Sequence, residues 1–185
     1  KQTPEIMQLP PEIAAKISIV DHSEIFAGND DALPTFNSLS IETMLWRIPG
    51  LAEHFLYFND DVFLTAPVTR SDFFAGDGPV LRGQWADHSD LVACGARRDD
   101  ASMLNHYNQI NAAQMIGYTA DQVFESAHVV HPMQRSVMAQ LFDTYRNAFI
   151  SNASFRFRDA GQFLPQSLHN HACLADGSAA ILDTR

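Results

Sequence analysis

A chain of 185 residues is long enough for one domain with a real core, and its 46% hydrophobic and 18% charged residues are those of a globular rather than a disordered protein. The net charge of −10 argues against a nucleic-acid partner and against a general anionic-membrane patch, although a divalent cation can reverse the sign locally and admit a phosphorylated ligand. The two cysteines, Cys94 and Cys173, suggest neither a disulfide framework nor a zinc site and read as a reducing compartment.

No stretch approaches the roughly 18 consecutive apolar residues of a membrane span. The opening Lys1-Gln2-Thr3-Pro4 has no apolar run behind it and does not read as a signal peptide. Lys1 in place of an initiator Met, and Asp183-Thr184-Arg185 directly after an apolar patch, read as the cut ends of a longer protein.

Residues 1–15 are polar with three prolines and read as irregular. Lys16 to Asp21 alternates and is β-branched, which predicts a first strand. Residues 22–31 read as a loop, whose Asp30-Asp31 pair follows Gly28-Asn29 and is expected to be a solvated turn. A helix follows, capped by Asn37 or Ser38, with Ile41, Met44, Leu45 and Ile48 on one face and Pro49-Gly50 as its stop.

The run from Phe55 to Leu64 then carries apolar residues into Asn59-Asp60-Asp61. Such a run predicts a strand over 54–58 buried on both faces. Strand, helix, strand in this order predicts a βαβ unit with parallel strands, with the acids at the carboxyl edge where ligands bind. The helix start at Asn37-Ser38 falls at that same edge, and helix amino termini favour anions. The competing reading of Asn-Asp-Asp is a plain turn.

Further on, Asp72-Phe73-Phe74 reads as a short helix or turn, 80–85 as a strand, and 86–100 as a linker or insertion with a charged loop at Arg97-Arg98-Asp99-Asp100. A helix over 101–116 sets Asn105, Asn108 and Asn111 on one side, either as a solvated stripe or as carboxamides aimed at a ligand. Residues 127–132 break the chain before a helix over 133–149, 154–159 reads as extended, and a last helix covers 160–173.

Paired carboxylates suit a hard cation such as Mg²⁺, Mn²⁺ or Ca²⁺. Neighbours in a strand point opposite ways, so one acid binds directly, and Asp61 is the expected ligand with Asp60 beside it. His128 and His131 are the candidate titrating pair, each open to a purely structural role. Arg158, in an aromatic segment, suits a phosphate or a surface pairing with Asp159. Among phosphate and nucleophile motifs, no Gly-rich loop, nucleophile elbow or HExxH appears.

The residues Leu33-Pro34-Thr35-Phe36-Asn37-Ser38, Ile41-Glu42, Arg47-Ile48-Pro49-Gly50-Leu51 and Phe55 to Phe63, with Asp72-Phe73-Phe74 after them, closely resemble the second signature block of the Stealth proteins. These are bacterial capsular polysaccharide phosphotransferases related to the animal N-acetylglucosamine-1-phosphotransferase catalytic domain. Ala127-His128 through Val137, and on to Phe155-Arg156-Phe157-Arg158, resembles the third block, although the family's proline two residues after the first histidine is Val130 here. The first and fourth blocks are absent, so the resemblance implies an incomplete catalytic domain: a βαβ block over 16–85 and a mainly helical block over 101–175.

The resemblance implies a Rossmann-like (GT-A-like) α/β fold with a mostly parallel sheet flanked by helices. It implies transfer of a sugar-1-phosphate from a nucleotide-sugar to the hydroxyl of a glycan or sugar acceptor, in capsular or exopolysaccharide synthesis. By position, Asp61 and Asp60 hold Mg²⁺ or Mn²⁺, His128 is a base or phosphate contact, and Arg158 neutralises phosphate charge. Asn37, Glu42, Asn59, Asn108 and His131 are the expected supporting or substrate contacts. The implied setting is cytoplasmic, peripheral at the inner face of the bacterial membrane beside a capsule-synthesis complex. The alternatives are a metal-dependent GT-A glycosyltransferase and an inactive sugar-nucleotide-binding fragment.

Overall fold

The computed structural model describes residues 9–95 and 100–182, so the Arg97-Arg98 loop and most of the polar amino-terminal stretch lie outside the described residues. Pro11–Ala14 forms a short helix (α1), within the stretch read as irregular. The segment read as a first strand forms none: Ile17 and Ile19 are exposed, and among the described residues no strand pairs with them. β-branched alternation supplies propensity, but a strand persists only where a neighbour takes its backbone groups. Asp21 and Glu24 instead form a capping box around α2 (His22–Ile25), in what reads as a loop. Asp30-Asp31 forms a single 3₁₀ turn, as expected of a turn.

Helix α3 (Ser38–Met44) continues as a 3₁₀ turn over Leu45–Arg47. Strand β1 (His54–Tyr57) follows, half-buried rather than buried on both faces. It pairs antiparallel with β5 (His131–Gln134), in a register that sets Tyr57 opposite His131. The expected parallel βαβ unit is therefore not formed. Apolar content alone carries no pairing direction, and the partner of β1 comes from far along the chain.

The second sheet is built on β3 (Gly78–Ala86). β2 (Phe74–Ala75) and β4 (Val123–Ser126) pair with it antiparallel, and β6 (Ala180–Leu182) pairs parallel. The fold is mixed α/β. In place of the expected mostly parallel Rossmann-like sheet, three of the four pairings among the described residues are antiparallel.

α4 (Ser89–Cys94) lies in the segment read as a linker. α5 (Leu104–Ile116), entered by a 3₁₀ turn at Ala101–Met103, matches expectation. The helix expected over 133–149 is divided, because His131–Gln134 is a strand and the backbone leaves helical geometry at Tyr145. α6 (Arg135–Thr144) and α7 (Arg146–Ser154) result, with the Tyr145 hydroxyl donating to Met115 O at 2.7 Å. Residues 155–164 are loop rather than strand or helix, and α8 (Pro165–Ala175) starts later than predicted.

α8 joins the two sheets. It is buried on most sides, and its two histidines are spent on backbone amides of the sheets. The Gln134 amide of β5 donates to His169 Nε2 at 3.0 Å, and the Phe124 amide of β4 donates to His171 Nε2 at 3.0 Å. Each imidazole accepts with Nε2, so burial that lowers its pKa keeps it in the form the fold needs. Leu168 packs beside them into the apolar core with Met138, Phe142, Phe149 and Phe163.

Candidate functional site

The start of α3, the turn after β1, the first turns of α5 with the 3₁₀ turn before it, the 128–131 segment, the 158–164 loop and the start of α8 surround one cleft of about 400 Å³. Glu42, Asn59, Asn108, His128, His131 and Arg158 all line it. Residues up to 116 positions apart in the chain thus converge on one space.

Arg158 is held at the cleft edge by a hydrogen bond from its guanidinium to Ser38 Oγ, 2.8 Å. Its loop is fixed from beneath by carboxamides. Asn108 Nδ2 donates to Asp159 O and Gln162 O, both at 2.8 Å. Asn111 Nδ2 donates to Ala160 O and Gln162 O. The asparagine stripe of α5 is therefore neither a solvated face nor simply a set of ligand contacts: two of its three members clamp the Arg158 loop.

Gln162 is fully buried, its Oε1 accepting from Asn37 Nδ2 (2.9 Å) and the Asp159 amide (3.1 Å), its Nε2 donating to Asn152 O (2.9 Å). Asn37 also caps α3, its Oδ1 accepting from the Leu39 amide, and donates to Phe155 O. It lies under the cleft as a positioning residue and does not line it.

On the β1 side, the Tyr57 hydroxyl donates to Asn59 Oδ1 at 2.7 Å. Burial, reinforced by the charge of Glu42, pushes the Tyr57 phenol well above its ordinary range, so it remains a donor. Gln166 Nε2 donates to Glu42 Oε2 at 2.8 Å, giving this buried carboxylate a partner. The Gln166 carbonyl oxygen is buried without a hydrogen-bond partner in the same wall. Tyr57 and Gln166 were given no site role by the sequence, and Ser38 only that of a helix start at the ligand-binding edge. Gln166 had no signal, because a polar residue on a helix reads as solvated. His131 stacks on Tyr57 with centroids 6.2 Å apart, and burial, aided by nearby His128, depresses its pKa to about 4.

Asn59 to Val62 forms a turn, closed by the Val62 amide on Asn59 O at 3.2 Å. The turn reading and the edge reading thus describe the same residues. Asp61 and His128 meet at the rim, Asp61 Oδ1 to His128 Nε2 at 3.0 Å, with both side chains about two-thirds exposed. Asp61 faces a second groove of about 510 Å³, lined by the 61–68 loop, Phe73 and Arg82. Asp60 is exposed beside it and lines neither space. Carboxylate oxygens are the donors Mg²⁺ or Mn²⁺ take, and Asp61 keeps a second oxygen beyond the one on His128, so the pair fits a hard cation.

The cleft thus combines an anchored guanidinium, imidazoles and a carboxylate rim, groups of the kind that can bond an anionic, hydroxyl-bearing ligand. Residues 1–80 match the family model for Stealth protein CR2, conserved region 2. The chain is 56% identical to the exopolysaccharide phosphotransferase cps2G of Lactiplantibacillus plantarum, over 78% of this chain and 49% of that protein. It is 33% identical to the capsular polysaccharide phosphotransferase fcs1 of Haemophilus influenzae, over 78% of this chain and 39% of that protein. It is also 54% identical to the capsular polysaccharide phosphotransferase WcwK of Streptococcus pneumoniae, over 34% of this chain and 18% of that protein. The chain belongs to the Stealth family, and it spans less than half the length of these relatives. Among the described residues no helix is long and apolar enough to cross a membrane.

Proposed function

We propose that the protein containing this chain transfers a sugar-1-phosphate from a nucleotide-sugar to an acceptor hydroxyl during capsular or exopolysaccharide synthesis. The observation that carries this reading is the shared cleft of Glu42, Asn59, Asn108, His128, His131 and Arg158, in a chain whose relatives are named polysaccharide phosphotransferases. The acceptor oxygen attacks the phosphorus bonded to the sugar-1-oxygen. The new P–O bond forms as the bond to the bridging diphosphate oxygen breaks, and a nucleoside monophosphate leaves. The anomeric bond stays intact.

Arg158, anchored by Ser38, neutralises the non-bridging phosphate oxygens. With His128 Nε2 donating to Asp61, Nδ1 is the ring position that takes the acceptor proton. This is the orienting role of a carboxylate in a catalytic dyad. His131, held neutral, serves as a hydrogen-bonding wall rather than a charge. Asn59 and Glu42 face sugar hydroxyls, Glu42 steadied by Gln166. Asp61 and Asp60 hold Mg²⁺ or Mn²⁺, which when bound polarises the diphosphate and offsets charge on the leaving group. The site works at a cytoplasmic membrane face, where nucleotide-sugars and capsule-synthesis partners meet.

The test is incubation of this chain, and of its longer parent, with UDP-sugars, a divalent cation and glycan acceptors. Release of UMP with a phosphodiester resonance in ³¹P spectra supports the reading. Release of UDP with a plain glycoside would sink it.

A further inference from the structure

Away from the cleft rim, two imidazoles and a carboxylate from three separate elements meet at one point. His88 immediately precedes α4, His106 lies in the first turn of α5, and Glu125 lies in β4. His88 Nε2 and His106 Nδ1 each stand 2.9 Å from the same oxygen, Glu125 Oε1. The three atoms all lie within 4.8 Å of one another.

We propose that His88, His106 and Glu125 bind a divalent transition-metal ion of the zinc class, with water completing the shell. Two imidazoles that merely bond a carboxylate can take one oxygen each. Here both aim at a single atom, so that three lone-pair donors converge, as a metal requires. Zinc-class ions take imidazole nitrogen and carboxylate oxygen at about 2.0–2.2 Å, which tetrahedrally separates ligand atoms by about 3.3 Å. A small outward movement of the rings from 2.9 Å opens that space. Hard Mg²⁺ disfavours such a nitrogen-rich set, so this site and the Asp60-Asp61 rim select different ions.

The surroundings hold the donors in place. The His88 amide donates to Ala120 O at 2.7 Å. Glu125 is held in the β3–β4 ladder opposite Gln84, where Gly83 allows its carbonyl a close approach that a Cβ would block at 2.1 Å. The three side chains are partly exposed, at 13%, 36% and 21%, which leaves a face open to water. The ion would tie α5 to β4 at the turn that also carries Leu104 and Asn105 into the cleft. It is a structural tie for one wall of that cleft, and it stands whether or not the proposed reaction is correct.

The chain, stripped with dipicolinate, is titrated with Zn²⁺ by calorimetry and with Co²⁺ by visible absorption. Wild type is expected to bind one equivalent of Zn²⁺ with a Kd below about 1 μM and to show Co²⁺ d–d bands that excess Mg²⁺ leaves unchanged. His88→Gln and His106→Gln should each weaken Zn²⁺ binding by at least about 100-fold, with circular dichroism confirming the fold. The Asp60→Asn/Asp61→Asn double variant should bind Zn²⁺ as wild type does. Absence of Co²⁺ d–d bands in wild type, or undiminished Zn²⁺ affinity in folded His88→Gln and His106→Gln, overturns the proposal.

Discussion

The two sides of the cleft are built in opposite ways. Under Arg158 lies a buried carboxamide lattice of Asn37, Asn108, Asn152 and Gln162, each of these residues no more than about 3% exposed and hydrogen-bonded in the interior. At the rim, Asp60 and Asp61 sit on an exposed turn, and among the described residues Asp61 is bonded to an equally exposed histidine. A buried amide left unpaired costs about 1–3 kcal/mol, so the lattice is specified by folding itself. An exposed carboxylate pays almost nothing for disorder, so folding specifies the rim far less tightly. The arginine side is fixed from the interior, and the acid side is left to the surface.

Removing the rim charge should therefore give the largest functional loss with the smallest structural one. Asp61→Asn is expected to lower turnover roughly 100-fold or more, while thermal unfolding stays close to wild type. Wild-type turnover in that variant would remove Asp61 from the reaction. The lattice should show the reverse balance. Gln162→Ala removes one partner from Asn37 Nδ2, which keeps Phe155 O, and from Asn152 O, which keeps Ser40 Oγ, and it takes the side-chain acceptor from the Asp159 N–H. It should destabilise by roughly 3 kcal/mol or more in urea unfolding, and it should weaken phosphate-ligand binding by freeing the Arg158 loop. A Gln162→Ala chain as stable as wild type would mean that the lattice does not hold the arginine.

Acid separates the two sides further. His131 and His169 have folded pKa values lowered from 6.5 to about 4 by burial. Between those values the unfolded chain binds more protons than the folded one. The stability they lend is thus fully present above pH 6.5 and is lost as pH falls through 6.5 toward 4. Each contributes on the order of 3 kcal/mol over that window. Urea midpoints should fall steadily from pH 7 to pH 4.5, and His169→Gln, which keeps an acceptor for the Gln134 amide, should flatten the slope.

Local signals were legible where local chemistry decides the outcome. The Asn37 cap, the stop at Pro49-Gly50, the α5 pattern and the strand before Asn59-Asp60-Asp61 all stand in the structure close to where their residues predict. Pairing was not legible. Lys16 to Asp21 has strand-like residues and no strand, while His131–Gln134, with a proline in it, is one because β1 lies beside it. The site residues could be named through the family resemblance, but Asn37 lies under the cleft rather than in its lining, and Asn108, which lines it, also clamps the Arg158 loop. No periodicity distinguishes a buried carboxamide that serves a distant loop from one in water.

Asn37 gives the finest cut between local and long-range roles, because its two ends do different work. Its oxygen caps α3 through the Leu39 amide, at a rather long 3.2 Å, while its NH₂ reaches Phe155 O and Gln162 Oε1 across more than a hundred residues. Asn37→Ala removes both roles. Asn37→Asp keeps a capping oxygen, and a better one beside a helix amino terminus, but sets a carboxylate against two carbonyl oxygens. If capping dominated, Asn37→Asp would match wild type and Asn37→Ala would lose about 1 kcal/mol. The buried lattice argues the opposite: the aspartate should be at least as destabilising as the alanine, by about 1–3 kcal/mol. Chemical denaturation of the pair at pH 7 reads the sign directly, and an aspartate variant as stable as wild type would return Asn37 to the role of a simple cap.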